Sequence, residues 1–215
     1  MCCISDALAH SSKRGEDFGM SDFGRAMSDM QGYLEPAKIK SLISHTRNLR
    51  DRTILSLLWA TGCRLTELLM LKVEDVNLVE QVILMWTLKR KQHRRYQRIV
   101  LVDRATIELI KKYLRAYKIK KGLFFSITGR RVQQIVYETG VRARISRVGA
   151  KKLHPHHFRH SHGVAWVRAN PTMEGLRKLQ TRLGHASIAT TAHYLQFAFA
   201  EQRQEVDKVL GEFVI

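Results

Sequence analysis

The sequence predicts an α+β fold, mainly helical, with one small antiparallel β-hairpin or sheet. Three observations carry that expectation. Apolar residues recur at helical spacing through most of the chain from Tyr33 onward. Residues 82–86 and 99–102 are instead short apolar runs with β-branched side chains, and the polar stretch 89–95 between them reads as the basic tip of a hairpin. Finally, 215 residues that are 45% hydrophobic and 8% aromatic suffice for one substantial core.

Taken in order, residues 1–32 are rich in Ser, Asp, Gly and Met with weak periodicity, and read as an N-terminal arm or remnant. Pro36 suits a first helical turn, followed by Ile39, Leu42 and Ile43 on one face. A second helix spans 49–59 and is punctuated by Gly62; a third follows over 65–71. After the hairpin, Asp103 is an N-cap for a helix with Ile107, Ile110, Leu114 and Tyr117 on one face and Lys111, Lys112, Arg115 and Lys118 on the other. Residues 133–144 read as helical, and Pro155 opens another helix to about 168. Helices over 173–183, 187–195 and 200–210 complete the chain, the segment 198–215 forming a C-terminal tail.

There are 37 Lys and Arg against 19 Asp and Glu, a net charge of +18. Such a field attracts polyanions and hastens their encounter, so double-stranded DNA is the leading partner. An anionic membrane is disfavoured, because no basic amphipathic helix with a Trp/Phe-rich face stands out. No apolar run approaches the roughly 20 residues of a membrane span, and no signal peptide opens the chain. Cys2, Cys3 and Cys63 are odd in number with two adjacent, which argues against a disulfide framework and for a reducing, cytoplasmic and nucleoid-associated setting.

Three constellations carry chemistry. Thr61-Gly62-Cys63-Arg64-Leu65-Thr66-Glu67 puts an arginine at a helix start just after a glycine turn, where amide donors already favour anions. Alone, this reads more readily as a surface arginine paired to Glu67 at i+3. On the helix from Pro155, His156 and Arg159 share a face that His160 and the small Gly163 continue, Gly163 letting another backbone approach. His154, His156, His157, His160 and His162 invite a zinc reading, but the Glu of His-Glu-x-x-His is missing and no third ligand is suggested, so no metal and no cofactor are expected. Gly184 marks a turn presenting His185, Ser187 is an N-cap, and Tyr194 lies two turns on. A lone tyrosine is usually a core aromatic; here Leu195 and Phe197 can fill the core instead.

Together these segments resemble the three signatures of the tyrosine recombinases, the phage-integrase family: Ala60 to Leu68, then His156-His157-Phe158-Arg159-His160, then Leu183-Gly184-His185 with Thr190, Thr191 and Tyr194. The resemblance covers about residues 33–197, the expected catalytic domain. It implies that Arg64 and Arg159 hold a scissile phosphate, that His156 and His185 attend it, that Tyr194 is the nucleophile and that Glu67 supports the site. It also implies a catalytic lysine on the hairpin, best matched by Lys89, with Lys91 the rival. The remaining basic residues, Arg90, Lys91, Arg94, Arg95, Arg142, Arg144, Arg147, Lys151 and Lys152, are expected on the DNA backbone, giving salt-sensitive affinity.

The implied chemistry is economical. Two arginines neutralise charge building on the non-bridging oxygens, each such donor being worth roughly 3–4 kcal/mol. A phenol with an ordinary pKa of about 10 needs a base, for which His156 is the candidate, and the leaving 5′ oxygen needs a proton, for which Lys89 is the candidate. The resulting 3′-phosphotyrosyl link keeps the bond energy, so rejoining needs neither ATP nor metal. Members of the family commonly carry an upstream helical domain that completes a clamp on DNA; about 32 residues are too few for it, so a single-domain recombinase or a fragment is expected. The family further implies self-association, as a tetramer on two DNA sites with the tail docking in trans. Two other functions compete with this one: a non-recombining DNA-binding protein on the same fold, and a type IB topoisomerase.

Overall fold

The computed structural model of the chain describes residues 32–88 and 95–197. Helix α1 (Pro36–Ser44) begins on its proline. Helix α2 (Leu49–Thr61) is capped by Asn48, whose side chain accepts from Asp51 N, and stops at Gly62 with φ 61°, a left-handed conformation that costs glycine little. Helix α3 (Leu65–Met70) follows at once. A 3-10 turn (Val73–Asp75) then leads into a three-stranded antiparallel sheet of order β1-β2-β3: β1 (Val76–Asn77), β2 (Val82–Leu88) and β3 (Arg95–Leu101). Val82 pairs with Leu101 and Leu88 with Arg95, so the hairpin is longer than the two apolar runs suggested.

Helix α4 (Arg104–Ala116) has the expected Asp103 cap, which accepts from both Thr106 N and Thr106 Oγ1. Its buried aromatic is Tyr113, not Tyr117; the latter is the C-cap and 46% exposed. Helix α5 (Gly129–Arg142) starts earlier and ends sooner than expected, because Thr128 caps it and Arg144 turns left-handed at φ 57°. Two short strands, β4 (Arg147–Val148) and β5 (Lys151–Lys152), were not anticipated; they pair about a turn containing Gly149. Helix α6 (Pro155–Ala169) and helix α7 (Met173–Leu183) match expectation. The expected helix over 187–195 breaks in two, α8 (Ile188–Ala192), capped by Ser187, and a 3-10 turn (His193–Phe197). The expected helix over 200–210 lies outside the described residues.

Two cores result. The larger gathers residues of α1 to α6 and the sheet, with Leu55, Leu58, Ile110, Phe124, Phe125 and Phe158 essentially inaccessible to water. Each such side chain contributes about 1.5–3 kcal/mol of burial free energy. The smaller joins Val164, Val167, Leu176, Leu179, Leu183, Tyr194 and Phe197. Helix α6 belongs to both, giving Phe158 to one and Val164 and Val167 to the other. Its segment 156–163 is therefore held at the seam between them. Tyr194 was expected to leave core filling to Leu195 and Phe197; it is instead buried with Phe197, while Leu195 is only partly so.

Candidate active site

An open cavity of about 550 Å³ lies at this seam, and its lining includes Arg64, Lys151, His156, Arg159, His185 and Tyr194. Arg64, His156, Arg159, His185 and Tyr194, the five expected at the phosphate, thus come together from four separate segments. Arg159 is 2% exposed on the floor. Its Nη1 donates to Gly62 O (2.7 Å) and its Nη2 to Leu183 O (2.8 Å), the ends of α2 and α7. Both are helix C-termini, whose carbonyls carry partial negative charge and suit a buried cation that has no carboxylate partner among the described residues. Burial, then the charge of Arg64, lowers its pKa to about 10, against the opposing pull of Glu67; it stays protonated at neutral pH.

Arg64 is the residue before α3, and its guanidinium is partly exposed toward the cavity. Glu67 fixes it twice, accepting from Arg64 N (2.9 Å) and from Arg64 Nη1 (3.0 Å). Glu67 also accepts from Thr87 Oγ1 (2.7 Å) and from both terminal nitrogens of Arg98 (3.2 and 2.6 Å). Burial alone would raise this carboxyl; the hydrogen bonds and charge of Arg98, with the bonds from Arg64 N and Thr87, overcome it and hold the pKa at about 2. Arg98 in turn donates from Nε to Arg182 O (2.8 Å).

The dense histidines turn out to have distinct structural jobs. His154 N donates to His157 Nδ1, and His154 Nδ1 accepts from His156 N, so these rings cap the first turn of α6. His162 is pinned between Trp59 O, which its Nδ1 donates to (2.8 Å), and Arg182 Nε, from which its Nε2 accepts (2.9 Å). His156 itself is exposed at the cavity, stacked on His154 with ring centroids 6.3 Å apart. Desolvation first, then the charges of Arg159, His154, Arg64 and Lys151, lower its pKa, which favours a neutral ring able to accept a proton. His185 follows Gly184, whose φ is 64°, and its Nδ1 lies 2.9 Å from Thr191 Oγ1. Burial, then Arg159, Arg64 and Arg98, lower its pKa to about 4.

Tyr194 is 6% exposed. Its ring is parallel to that of His185, with centroids 6.4 Å apart and 1° between planes, and lies beside His160 at 5.3 Å. Gly163 makes room for it: a Cβ there would meet Tyr194 Cε1 and Cζ at 2.5 Å. The close approach expected at Gly163 is thus by an aromatic ring, not by another backbone. Burial raises the phenol pKa, and Arg159 and then Arg64 oppose that rise.

Other expected residues are distributed around this centre. Lys89, Arg90, Lys91 and Arg94 lie outside the described residues, and of Arg95 only the backbone, opening β3, is described. Arg142, Arg144, Arg147, Lys151 and Lys152 are exposed on the end of α5 and on β4 and β5. Arg142 donates to Thr139 Oγ1, Arg147 to Ala150 O, and Lys152 Nζ sits 5.6 Å from the Tyr137 ring centroid. Arg98 and Arg182 were missed, and His162 was weighed only as a zinc ligand. For Arg98 the signal was present: strand alternation puts it on the inward face with Val100, leaving Ile99 and Leu101 66% and 65% exposed.

A family model described as the phage integrase family matches residues 32–201. The tyrosine recombinase XerD of Staphylococcus haemolyticus is 32% identical over 174 residues, covering 75% of this chain and 55% of its own. The tyrosine recombinase XerA of Pyrococcus horikoshii is 27% identical over 174 residues, covering 80% of this chain and 59% of its own. The chain thus spans little more than half the length of these curated relatives. A crystal structure of XerA recombinase superposes with a TM-score of 0.65 at 27% identity, over 80% of this chain and 64% of that one. The fold is also that of XerH recombinase bound to its difH substrate, with a TM-score of 0.63 at 24% identity, over 75% of this chain and 50% of that one.

Proposed function

The chain belongs to the phage integrase family, and from that premise we propose that it is a site-specific DNA recombinase whose residues 33–197 form the catalytic domain, cutting and rejoining double-stranded DNA through Tyr194. The observation that carries this reading is the convergence of Arg64, His156, Arg159, His185 and Tyr194 on one cavity of about 550 Å³. Arg64 and Arg159 take the non-bridging oxygens of the scissile phosphate, and Glu67 keeps Arg64 in place. His185, neutral at physiological pH, hydrogen-bonds the same phosphate. The Tyr194 oxygen attacks phosphorus; a 3′-phosphotyrosyl bond forms and the bond to the 5′ oxygen breaks. His156 accepts the phenol proton, and Lys89 on the hairpin gives a proton to the departing oxygen, leaving a free 5′ hydroxyl. Attack by a 5′ hydroxyl from a second duplex reverses the step, with no cofactor or metal.

Tyr194 rests packed on Gly163, flanked by His160 and His185. Tyr194 nonetheless lines the same cavity as Arg64, His156 and Arg159. Lys151 lines the cavity, and it and the exposed Arg142, Arg144, Arg147 and Lys152 follow the DNA backbone, joined by the basic hairpin tip. Strand exchange calls for a tetramer on two DNA sites, in which the tail 198–215 docks on a neighbouring copy.

The test is a duplex nicked next to the cleavage point, with candidates cut from the DNA flanking the protein's own gene. Wild type should leave a protein–DNA adduct that survives denaturation, and Tyr194→Phe should leave none. No adduct on any flanking DNA would sink the proposal, and supercoil relaxation without exchange between duplexes would replace it with a topoisomerase. Deleting residues 199–215 should abolish assembly beyond one copy per binding site.

A further inference from the structure

A single guanidinium touches three of the segments that build the proposed site. Arg98, on β3, holds both carboxylate oxygens of Glu67 and so grips the turn from which Arg64 projects. Its Nη1 also donates to Thr87 Oγ1 on β2, in the strand that runs on toward Lys89. Its Nε donates to Arg182 O at 2.8 Å, and its Nη1, Cδ and Cζ lie close over Gly184, the residue before His185. Arg98 is 8% exposed and Glu67 4%, so the junction is fixed by packing as well as by hydrogen bonds. It lines the neighbouring cavity of about 700 Å³, and not the one that holds Tyr194, although Arg64 and His185 belong to both.

Resting on the recombinase reading, we propose that Arg98 is a positioning residue: it sets Arg64, the lysine-bearing hairpin and His185 in one frame so that they meet the same phosphate, without touching that phosphate itself. The rigid fork of a guanidinium reaches all three partners at once, whereas the point charge of a lysine cannot. Stability alone is a poor account of the arrangement, since a buried ion pair seldom exceeds a well-packed apolar pair in what it contributes.

The test uses the full chain with Arg98→Lys, and nicked duplexes carrying either an ordinary phosphodiester or a methylphosphonate at the cleavage point. The methylphosphonate lacks the negative charge that Arg64 answers. Arg98→Lys should slow adduct formation on the phosphodiester by about 100-fold, the scale of a 1 Å misplacement, and slow it far less on the methylphosphonate. Equal slowing on both, or none, overturns the proposal. The double variant Glu67→Gln/Arg98→Gln replaces the ion pair by two neutral amides; it should regain melting temperature but not adduct rate, and recovery of both would mean that the role is only structural. If wild type forms no adduct on any duplex, the recombinase reading falls, and amide hydrogen exchange still decides the positioning claim. Faster exchange in both 64–68 and 183–186 of Arg98→Lys upholds it; a change confined to β2 and β3 overturns it.

Discussion

Gly163→Ala would drive a methyl group into the ring of Tyr194. The added Cβ would stand 2.5 Å from Cε1 and Cζ and 2.9 Å from Cε2, where ordinary contact begins at 3.4 Å, so the ring or the helix has to give by about 0.9 Å. Overpacking of this kind costs about 1–3 kcal/mol. Alanine in a helix interior offsets about 1 kcal/mol of that relative to glycine. The net loss is then about 0–2 kcal/mol, a fall in melting temperature of at most about 8 °C for a chain of this size. Helix α6 is clamped by two cores, whereas the ring is the end of a side chain on a short 3-10 turn, so the ring moves. Tyr194 should become several-fold more reactive toward N-acetylimidazole, mapped by peptide mass spectrometry, while Tyr113, 2% exposed in the larger core, stays protected as the internal control. An unchanged Tyr194 reactivity together with an unchanged or higher melting temperature would refute the seat described for the phenol.

Two further outcomes follow from the same geometry. His162 already donates to Trp59 O and accepts from Arg182 Nε, so a second proton has nowhere to go; burial, then the Arg182 charge, puts its folded pKa at about 3, below the unfolded value of about 6.5. The unfolded chain therefore binds the proton more readily, and stability falls as pH drops from about 6.5 toward 3, with His157 and His185, each at about 4, acting in the same direction. Glu67 adds a separate loss: its folded pKa of about 2 lies below the unfolded value of about 4.3, so its contribution is present above about 4.3 and goes as pH falls toward 2. Urea unfolding between pH 7 and 4 should show a steady decline that is shallower in His162→Asn, and a flat profile would contradict it. Gly62→Ala meets Leu183 Cδ2 at 2.7 Å and His162 Cδ2 at 2.8 Å on a backbone with φ 61°. Left-handed strain of roughly 1–2 kcal/mol and overpacking of about 1–3 kcal/mol predict a loss of about 2–5 kcal/mol in denaturant unfolding, and a loss below about 1 kcal/mol would count against the packing described.

Much of this fold is written in its punctuation. Pro36, Asp103, Pro155 and Ser187 start helices and Gly62 and Gly184 end them, because each satisfies or removes an orphan backbone group locally. The start of α5 is obscure by the same logic: Gly129, Arg130 and Arg131 show no apolar face before Val132, and only Thr128 marks the beginning. Strands β4 and β5 are too short for alternation to register. In the site, the residues that meet substrate in the proposal were legible because their types and order form a pattern. Arg98, which holds them, was not, since it acts through Glu67, Thr87 and the Arg182 carbonyl, all on other segments of the chain. Nor does the sequence show that Tyr194 sits inside a core, because burial there depends on the one hydrogen atom of Gly163 that makes space for a ring.

The grip on Arg159 has a consequence for the way this chain can vary. One of its anchors is the carbonyl of Gly62 just past the end of α2, the other that of Leu183 at the end of α7. Along α7, counted from the Thr172 cap, one inserted or deleted residue would swing the terminal carbonyl about 100° around the helix axis and carry it away from the guanidinium. Exposed positions such as Arg177 and Lys178 are free to change in kind. The number of residues is not free, because Arg159, and Arg98 on the carbonyl of Arg182, measure it.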